Sequence, residues 1–218
     1  MPNIILFKNS IIEHNLSIIR DENTDFDNFR RGIKKITTII ACSILENLPL
    51  KNIDIKTPVA NATVKCLITE KIPVIVPIVR AGIGMVDPFL DFLPNATVRH
   101  IGLRRIDEPE ENGGAKISIE TYMNKLPDNM EGSSIIVVDP MLATGLSACD
   151  CIDALLQRKV SEEQIKYACI IASKDGISYV INKYPGVNFY CAAIDETLTP
   201  NKFISAGLGD AGDRLCGT

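Results

Sequence analysis

The chain has 218 residues, of which 46% are hydrophobic, 23% charged and 6% aromatic, with no Trp. This composition is typical of one packed domain with an aliphatic core, and it excludes disorder along the whole chain. The formal net charge is −4, so no global positive field attracts nucleic acid or an anionic membrane, and an anionic ligand needs a local site.

No apolar run approaches the roughly 20 residues that a bilayer-spanning helix needs; the longest covers residues 72–79. The N-terminus carries no basic leader of the secretory type. The seven Cys and two His residues lack the spacings of a zinc site or a disulfide framework. We therefore expect a cytoplasmic protein that binds neither membrane nor nucleic acid.

The first predicted element is a helix over residues 24–48, because apolar side chains recur there at spacings of three and four. Thr24 is its predicted N-cap, and Pro49 follows its predicted end. The residues before Thr24 show no clear pattern, and we expect an irregular start.

From residue 72 onward, short apolar runs alternate with helical patterns. This alternation predicts a mainly parallel sheet covered by helices on both faces, in which ligands bind beyond the carboxyl ends of the strands. The predicted strands are residues 72–79, 97–103, 133–139, 165–172 and 187–195, and the predicted helices are residues 85–93, 147–159 and 175–184.

Residues 104–125 have a different character: acidic residues are followed by Gly113-Gly114 and then by an alternating stretch over residues 116–122. This pattern predicts a protruding β-hairpin. Two interpretations remain open, a solvated surface loop and a lid over a site at the sheet edge.

The sharpest local signal is a buried strand that delivers Asp139, followed by the loop 143–147 and a helix. Small residues allow backbone N–H groups to converge on a phosphate, the Thr144 and Ser147 hydroxyls add donors, and the helix N-terminus adds partial positive charge. Asp139 could accept hydrogen bonds from sugar hydroxyls. The alternative is a tight strand-to-helix turn in which Ser147 only caps the helix.

Arginines end two of the predicted strands. Arg80 precedes the small residues Ala81-Gly82, and Arg104-Arg105 end the next apolar run, so several guanidinium groups are expected at the edge that carries the phosphate loop. A lone arginine there could equally be a surface charge. Neither a P-loop nor a complete dinucleotide fingerprint occurs in the chain.

The last residues, FISAGLGDAGDRLCGT, are rich in glycine, and we expect a shaped loop rather than a helix. Its main-chain groups could recognise the edge of a planar ligand, and Asp210 could hold that ligand or a magnesium-bound water. The glycines could also do no more than permit a tight chain reversal.

Six motifs follow one another along the chain: VPIVRAGIGMVD, HIGLRR, NKLPDNMEG, VVDPMLATGLS, AAIDETL and GLGDAGDRLCGT. With these motifs the chain resembles the uracil phosphoribosyltransferase family, from about Phe26 to Thr218. The resemblance implies an α/β, type I phosphoribosyltransferase-like fold in one domain over residues 1–218, with a central parallel sheet flanked by helices, a protruding β-hairpin (104–125) and a C-terminal hood (195–218) that forms the base pocket. The implied reaction transfers ribose 5-phosphate from phosphoribosyl pyrophosphate to uracil, giving UMP and pyrophosphate in pyrimidine salvage.

The resemblance also implies roles for individual residues. The implied catalytic residues are Arg80, Arg105 and Asp210, and Asp210 is also the implied magnesium ligand. The implied donor site comprises Arg80, Arg105, Asp139, Pro140, Met141, Leu142, Ala143, Thr144, Gly145, Leu146, Ser147 and Asp210. The implied uracil site comprises Ile204, Gly209, Asp210 and Ala211.

Further implications are magnesium as cofactor, GTP as a candidate effector, and a homodimer or larger homo-oligomer. The chain departs from the family at Leu146, where a glycine is usual, at Arg104, where a tyrosine is usual, at Ser205-Ala206, and in a longer segment between Arg105 and Lys125. The alternatives are a nucleotide-sensing regulator of the same fold, an enzyme acting on another base, and an inactive subunit.

Overall fold

Within residues 4–109 and 115–218, which the structure describes, eight strands form the central sheet of the computed structural model. They are β1 (Ile4–Leu6), β4 (Val74–Val79), β5 (Ile101–Pro109), β6 (Ala115–Asn124), β7 (Ile135–Val138), β8 (Met141–Leu142), β9 (Ile165–Ser173) and β10 (Asn188–Asp195). The order is β1-β10-β9-β7-β4-β5-β6, and β8 pairs with β9. All of these pairs are parallel except β5–β6, which confirms the mainly parallel sheet.

Two further strands, β2 (Leu50–Lys56) and β3 (Asn61–Leu67), form a separate antiparallel hairpin. Sequence patterning did not predict it. Most of its side chains are exposed, so the alternation that marks a half-buried strand is weak there.

Helices cover both faces of the sheet. They are α1 (Ser10–Arg20), α2 (Phe26–Leu45), α3 (Asp87–Phe92), α4 (Leu146–Leu156), α5 (Lys174–Lys183) and α6 (Ala211–Cys216). On one face, Phe29, Ile33 and Ile36 of α2 pack against Ile75 and Ile136 of the sheet. Each such side chain stabilises the fold by about 1.5–3 kcal/mol when fully buried.

No described helix is long and apolar enough to span a bilayer.

The start of the chain corrects the sequence-based prediction. It is not irregular: β1 pairs with β10, and Asn9 caps α1 by accepting hydrogen bonds from Ile11 N and Ile12 N. The N-cap of α2 is Asp25, whose carboxylate accepts from Asn28 N at 2.7 Å. Thr24 instead donates its hydroxyl to Ile18 O at 2.6 Å, and so links the two helices.

Strands β5 and β6 form an antiparallel hairpin with a bulge between Gly102 and Leu103. It lies where a hairpin was predicted, although β5 covers Ile101–Pro109 rather than residues 97–103. Arg104 and Arg105 therefore lie within the strand and do not end it, because the pairing with β6 extends β5 beyond the apolar run. Residues 110–114, including Gly113-Gly114, lie outside the described residues. A role as a lid stays a prediction.

The C-terminal residues also differ from prediction, since Ala211–Cys216 form the short helix α6. The Asp210 carboxylate caps it by accepting from Asp213 N at 2.9 Å, and Gly217 ends it with φ +79°. The glycine content argued against a helix, but a side-chain cap and a left-handed C-terminal glycine outweigh propensity in so short an element.

Candidate active site

A cavity of about 710 Å³ opens at the carboxyl edge of the parallel strands. Residues from the ends of β4 and β7, from the hairpin β5–β6, from α4 and from α6 contribute to its wall. Its lining residues are Ile78, Val79, Arg80, Ala81, Leu103, Arg104, Arg105, Tyr122, Asp139, Ser147, Asp210 and Gly212. The sequence therefore predicted correctly that the polar residues after these strands lie close together.

Arg80 follows β4 directly and lies on one side of this cavity. Its Nη2 lies 2.9 Å from Asp213 Oδ1 of α6. The hydrogen bond to Asp213 raises the pKa of Arg80, with smaller contributions from the charges of Asp213 and Asp210. Gly82 allows the turn after β4 to approach the end of β7 closely, because a Cβ there would lie 2.4 Å from Val138 O. The ion pair joins the sheet edge to the C-terminal helix.

Arg105 lies on β5, across the cavity from α6. Its guanidinium carbon is 5.3 Å from the centroid of the Phe203 ring, within the range of a cation–π interaction. The preceding residue, Arg104, is bound differently, since its Nε donates to Glu120 across the hairpin.

Asp139 follows β7 and is buried at the bottom of the cavity. The Tyr167 hydroxyl donates to its Oδ2 at 3.3 Å. Burial raises the pKa of Asp139 to about 7, against the opposing effect of hydrogen bonds from Met141 N and Tyr167. The carboxyl group therefore gains or loses its proton near neutral pH.

A smaller cavity of about 100 Å³ adjoins the first and shares Arg105, Asp139 and Ser147 with it. The loop between β8 and α4 forms its wall. Its other lining residues are Ile117, Ile119, Met141, Leu142, Ala143, Thr144, Gly145, Ala148, Tyr167 and Lys202. Residues 143–145 and Ser147 thus line one concavity, and their role in binding a phosphate stays a prediction.

The packing of Gly145 sets the shape of that loop. Gly145 has φ +83°, and a Cβ there would lie 2.5 Å from Val180 Cγ2 and 2.9 Å from Gly176 O of α5. Ser173 fixes the other side, donating its hydroxyl to Ala143 O and accepting from Gly176 N at 2.8 Å. Because Gly145 occupies the cap position of α4, Ser147 does not cap this helix.

Two residues of the implied donor set lie apart from the two cavities. Leu146 lines a neighbouring surface depression with Ile117, Thr144, Tyr179 and Lys202. Pro140 accepts hydrogen bonds from Ile170 N and Ile171 N through its carbonyl oxygen, so its main chain ties the loop to β9.

The C-terminal segment from residue 195 is held by α1 and the turn that follows it. Arg20 forms a bidentate ion pair with Asp195 at 2.7 and 2.9 Å and also donates to Ala206 O. Arg214 donates to Ile19 O at 2.6 Å and to Asp21 O at 2.7 Å. These contacts position α6 against the cavity.

Of the residues implied to bind uracil, Asp210 alone lines the large cavity. Ile204 and Ala211 are buried in the core with relative exposures of 4% and 5%, while Gly209 is exposed with φ +66°. The side chains of Ile204 and Ala211 therefore serve packing, and only their main chain remains for recognition of a base.

A family model described as uracil phosphoribosyltransferase matches residues 6–218. The chain belongs to the uracil phosphoribosyltransferase family. The match begins before Phe26, where the resemblance seen in the sequence began, and therefore includes the N-terminal helix α1 that holds the C-terminal segment.

Curated members of the uracil phosphoribosyltransferase family are similar along the whole chain. The member from Geobacillus sp. (strain WCH70) is 44% identical over 218 residues, which is 100% of both chains. The member from Limosilactobacillus reuteri (strain DSM 20016) is 42% identical over 208 residues, or 95% of each chain.

Solved structures confirm the predicted type I phosphoribosyltransferase fold of this family member. The AQ2163 protein from Aquifex aeolicus aligns with a TM-score of 0.83 and 28% identity over 97% of both chains. Adenine phosphoribosyltransferase from Leishmania donovani aligns with a TM-score of 0.56 and 13% identity over 89% of this chain and 85% of that one. At 13% identity the second likeness shows the fold alone.

The carboxylates of the cavity fit the magnesium expected for the family. Within the described ranges 4–109 and 115–218, no three His, Cys, Asp or Glu side chains cluster to form a metal cage. Mg²⁺ is commonly held by one or two carboxylates together with substrate phosphates and waters. Asp210 is exposed in the cavity and can contribute such a carboxylate oxygen.

Sequence reasoning missed several residues of the site. Tyr122 donates its hydroxyl to Val79 O at 3.1 Å, Asp213 pairs with Arg80, and Phe203 lies beneath Arg105. Lys202 lines the small cavity. Asp213 and Phe203 lie in the glycine-rich C-terminal stretch and could have been named as site residues on that ground, whereas Lys202 precedes this stretch and no pattern indicated it.

Proposed function

We propose that the protein transfers ribose 5-phosphate from phosphoribosyl pyrophosphate to uracil, giving UMP and pyrophosphate in pyrimidine salvage. One observation carries the proposal: Arg80, Arg105, Asp139 and the phosphate-type loop line two adjoining cavities at one sheet edge. Full-length similarity to the uracil phosphoribosyltransferase family supports the choice of base.

The donor fits the two cavities by charge and by size. Its 5-phosphate is assigned to the small cavity, where the backbone N–H groups and hydroxyls of residues 144–147 and the N-terminus of α4 favour an anion. Asp139 lies between the cavities and can accept hydrogen bonds from the ribose hydroxyls. The large cavity then remains for the pyrophosphate group and the base.

The two arginines act on the leaving group. As the bond between ribose and pyrophosphate breaks, negative charge develops on the pyrophosphate oxygens, and preorganised cations stabilise that charge. Arg80 retains N–H donors beside its bond to Asp213, because a guanidinium has five. Magnesium bound with the donor supplies further neutralisation of these oxygens.

No strong general base is needed for attack by the ring nitrogen of uracil. The ribose carbon already resembles an oxocarbenium ion when the leaving group departs, so positioning of the base supplies most of the remaining rate. Asp210 and the main chain around Ile204, Gly209 and Ala211 are proposed to provide that position.

Base selectivity follows from hydrogen-bond matching. Uracil presents an acceptor, a donor and an acceptor, which main-chain groups of the C-terminal segment can complement. Cytosine would leave buried polar groups unpaired, and sites built on hydrogen bonds reject analogues that lack them by large factors, on the order of 10⁴. Comparable turnover of cytosine would contradict this part of the proposal.

The proposal extends to the protein's partners and setting. We assign it a cytoplasmic location, a homodimeric or larger homo-oligomeric state, magnesium as cofactor and GTP as a candidate effector. These assignments rest on the family resemblance, and analytical ultracentrifugation with and without GTP tests the oligomeric state and its dependence on the effector.

The decisive experiment measures UMP formation from phosphoribosyl pyrophosphate, Mg²⁺ and uracil, with and without GTP. Arg105→Ala and Asp210→Asn should each lower kcat/KM by at least about 10²-fold, the effect of removing one group that stabilises transition-state charge. Asn remains a good N-cap, so Asp210→Asn should keep α6 folded. Arg31→Ala is the matched control, because among the described residues Arg31 forms an ion pair with Asp27 on the exposed face of α2, away from the cavities.

Calorimetric binding of the donor separates the alternatives. Wild-type protein that binds phosphoribosyl pyrophosphate but forms no UMP, with or without GTP, would replace the enzyme by a nucleotide-sensing regulator or an inactive subunit. Turnover of a different base in a panel assay would keep the reaction and change only the acceptor.

A further inference from the structure

Lys202 occupies an unusual backbone position in the C-terminal segment. It has φ +63°, a conformation that glycine adopts readily and that other residues adopt at a cost of about 1–2 kcal/mol. The surrounding turn is closed by Thr199 N to Phe203 O at 2.7 Å and by Lys202 N to Thr199 O at 2.8 Å. The chain therefore carries a lysine where glycine would relieve backbone strain.

Lys202 lies at the phosphate-type loop. It lines the small cavity together with Thr144, Gly145 and Ser147, and it also lines the adjoining depression. In the described part of the chain no carboxylate forms an ion pair with Lys202. Its ammonium group is therefore available to an anionic ligand.

A second cation at the small cavity would strengthen the binding of a phosphate there. Its loop contributes uncharged donors, and the buried carboxyl of Asp139 shares the same wall. A phosphate that enters must be neutralised there, and a charge-assisted hydrogen bond is about twice as strong as a neutral one. Arg105 also lines this cavity, but it extends into the large cavity as well.

We propose that Lys202 is a further donor-positioning residue, whose ammonium binds the 5-phosphate of the donor from the side opposite the loop. This inference rests on the proposed function. The proposed contact would connect the two substrates, because Ile204, one of the residues implied to bind uracil, lies two residues after Lys202. Engagement of the phosphate by Lys202 would then help to hold the base-binding main chain in place.

The test compares Lys202→Gly, Lys202→Met and Lys202→Arg by calorimetric titration with ribose 5-phosphate and by steady-state kinetics. Loss of the charge in the Gly and Met variants should raise the Kd for ribose 5-phosphate and the KM for the donor by about 5- to 20-fold. The Arg variant should stay within about threefold of wild type, since it keeps the charge. The kcat should change less than KM in all three.

Thermal unfolding makes the Gly variant informative. Lys202→Gly should keep or raise Tm because it relieves the positive φ, so weaker phosphate binding in that variant cannot come from a folding defect. Lys71→Met is the control, since Lys71 is exposed at the amino end of β4, at the opposite edge of the sheet.

The outcomes are distinguishable. Wild-type affinity for ribose 5-phosphate in both the Gly and Met variants overturns the role of Lys202 and leaves the proposed function standing. Wild-type protein that neither binds ribose 5-phosphate nor forms UMP overturns both. Weaker phosphate binding by a Gly variant with unchanged or raised Tm, together with an Arg variant close to wild type, supports the inference.

Discussion

Arg105 of β5 lies over Phe203, with 5.3 Å between the guanidinium carbon and the ring centroid. These residues are almost a hundred positions apart in the chain, and their contact joins the β5–β6 hairpin to the C-terminal segment. The ring contacts a cation that lines both cavities. The contact therefore connects the proposed donor site to the segment proposed to bind the base.

Replacement of Phe203 by Leu should lower kcat/KM for the donor by about two- to fivefold, because a cation–π contact at a partly exposed site contributes about 0.5–1 kcal/mol. Phe203 is 46% exposed, so Tm should hardly change. Phe203→Tyr keeps the ring and is the control in the same initial-rate assay. Equal rates for the Leu and Tyr variants would show that the ring does not orient Arg105.

Ionisation of Asp139 should destabilise the folded protein. Burial raises the pKa of Asp139 to about 7, whereas an unfolded aspartate has a pKa of about 3.9. The folded state thus holds the proton more tightly, and the contribution of this group to the free energy of unfolding falls as pH rises from about 4 to about 7. Urea unfolding across this range should show a shallower fall for Asp139→Asn than for wild type.

Donor binding should release protons near pH 6.5. Ribose hydroxyls that donate to Asp139 favour the carboxylate, so binding should lower the pKa of Asp139 from its free value of about 7. Titration calorimetry in buffers of different ionisation enthalpy measures the number of protons released. In the Asp139→Asn variant, only the donor's own phosphates should still release protons, so fewer protons should be released than in wild type. An equal number in the variant and in wild type would show that the donor does not contact Asp139.

Gly145→Ala should destabilise the protein more than Gly132→Ala. Both glycines have positive φ, +83° and +75°, but a Cβ at Gly132 has nothing within 4 Å, whereas one at Gly145 collides with α5. We expect about 1–2 kcal/mol from backbone strain alone at Gly132 and a further 1–3 kcal/mol from overpacking at Gly145. Chemical denaturation measures the difference, and equal losses would contradict the packing argument.

Leu146→Gly should leave donor affinity within about threefold of wild type. Leu146 lines the surface depression and neither cavity, so we expect its side chain to make no contact with a phosphate bound in the small cavity. The substitution should destabilise the protein by about 1 kcal/mol, since glycine is a poor helix former at the start of α4. A tenfold gain in donor affinity by calorimetry would show instead that the leucine obstructs the loop.

Local patterns were sufficient for the central part of the fold. The apolar runs that became β4, β7, β9 and β10 are buried parallel strands, and the carboxyl ends of parallel strands meet at one edge for geometric reasons. The placement of Arg80, Arg105, Asp139 and the loop 143–147 around common cavities could therefore be predicted from the amino-acid sequence alone.

Contacts between residues far apart in the chain determine the features that the sequence patterns did not predict. Strand β1 has three residues and forms only by pairing with β10, α6 depends on the Asp210 cap as well as on packing, and Asp213 meets Arg80 across 133 positions. The raised pKa of Asp139 and the approach of Lys202 to the loop arise in the same way. Periodicity reports which face of an element is apolar, whereas burial and charge pairing depend on which elements pack together, and that is determined only by the tertiary structure.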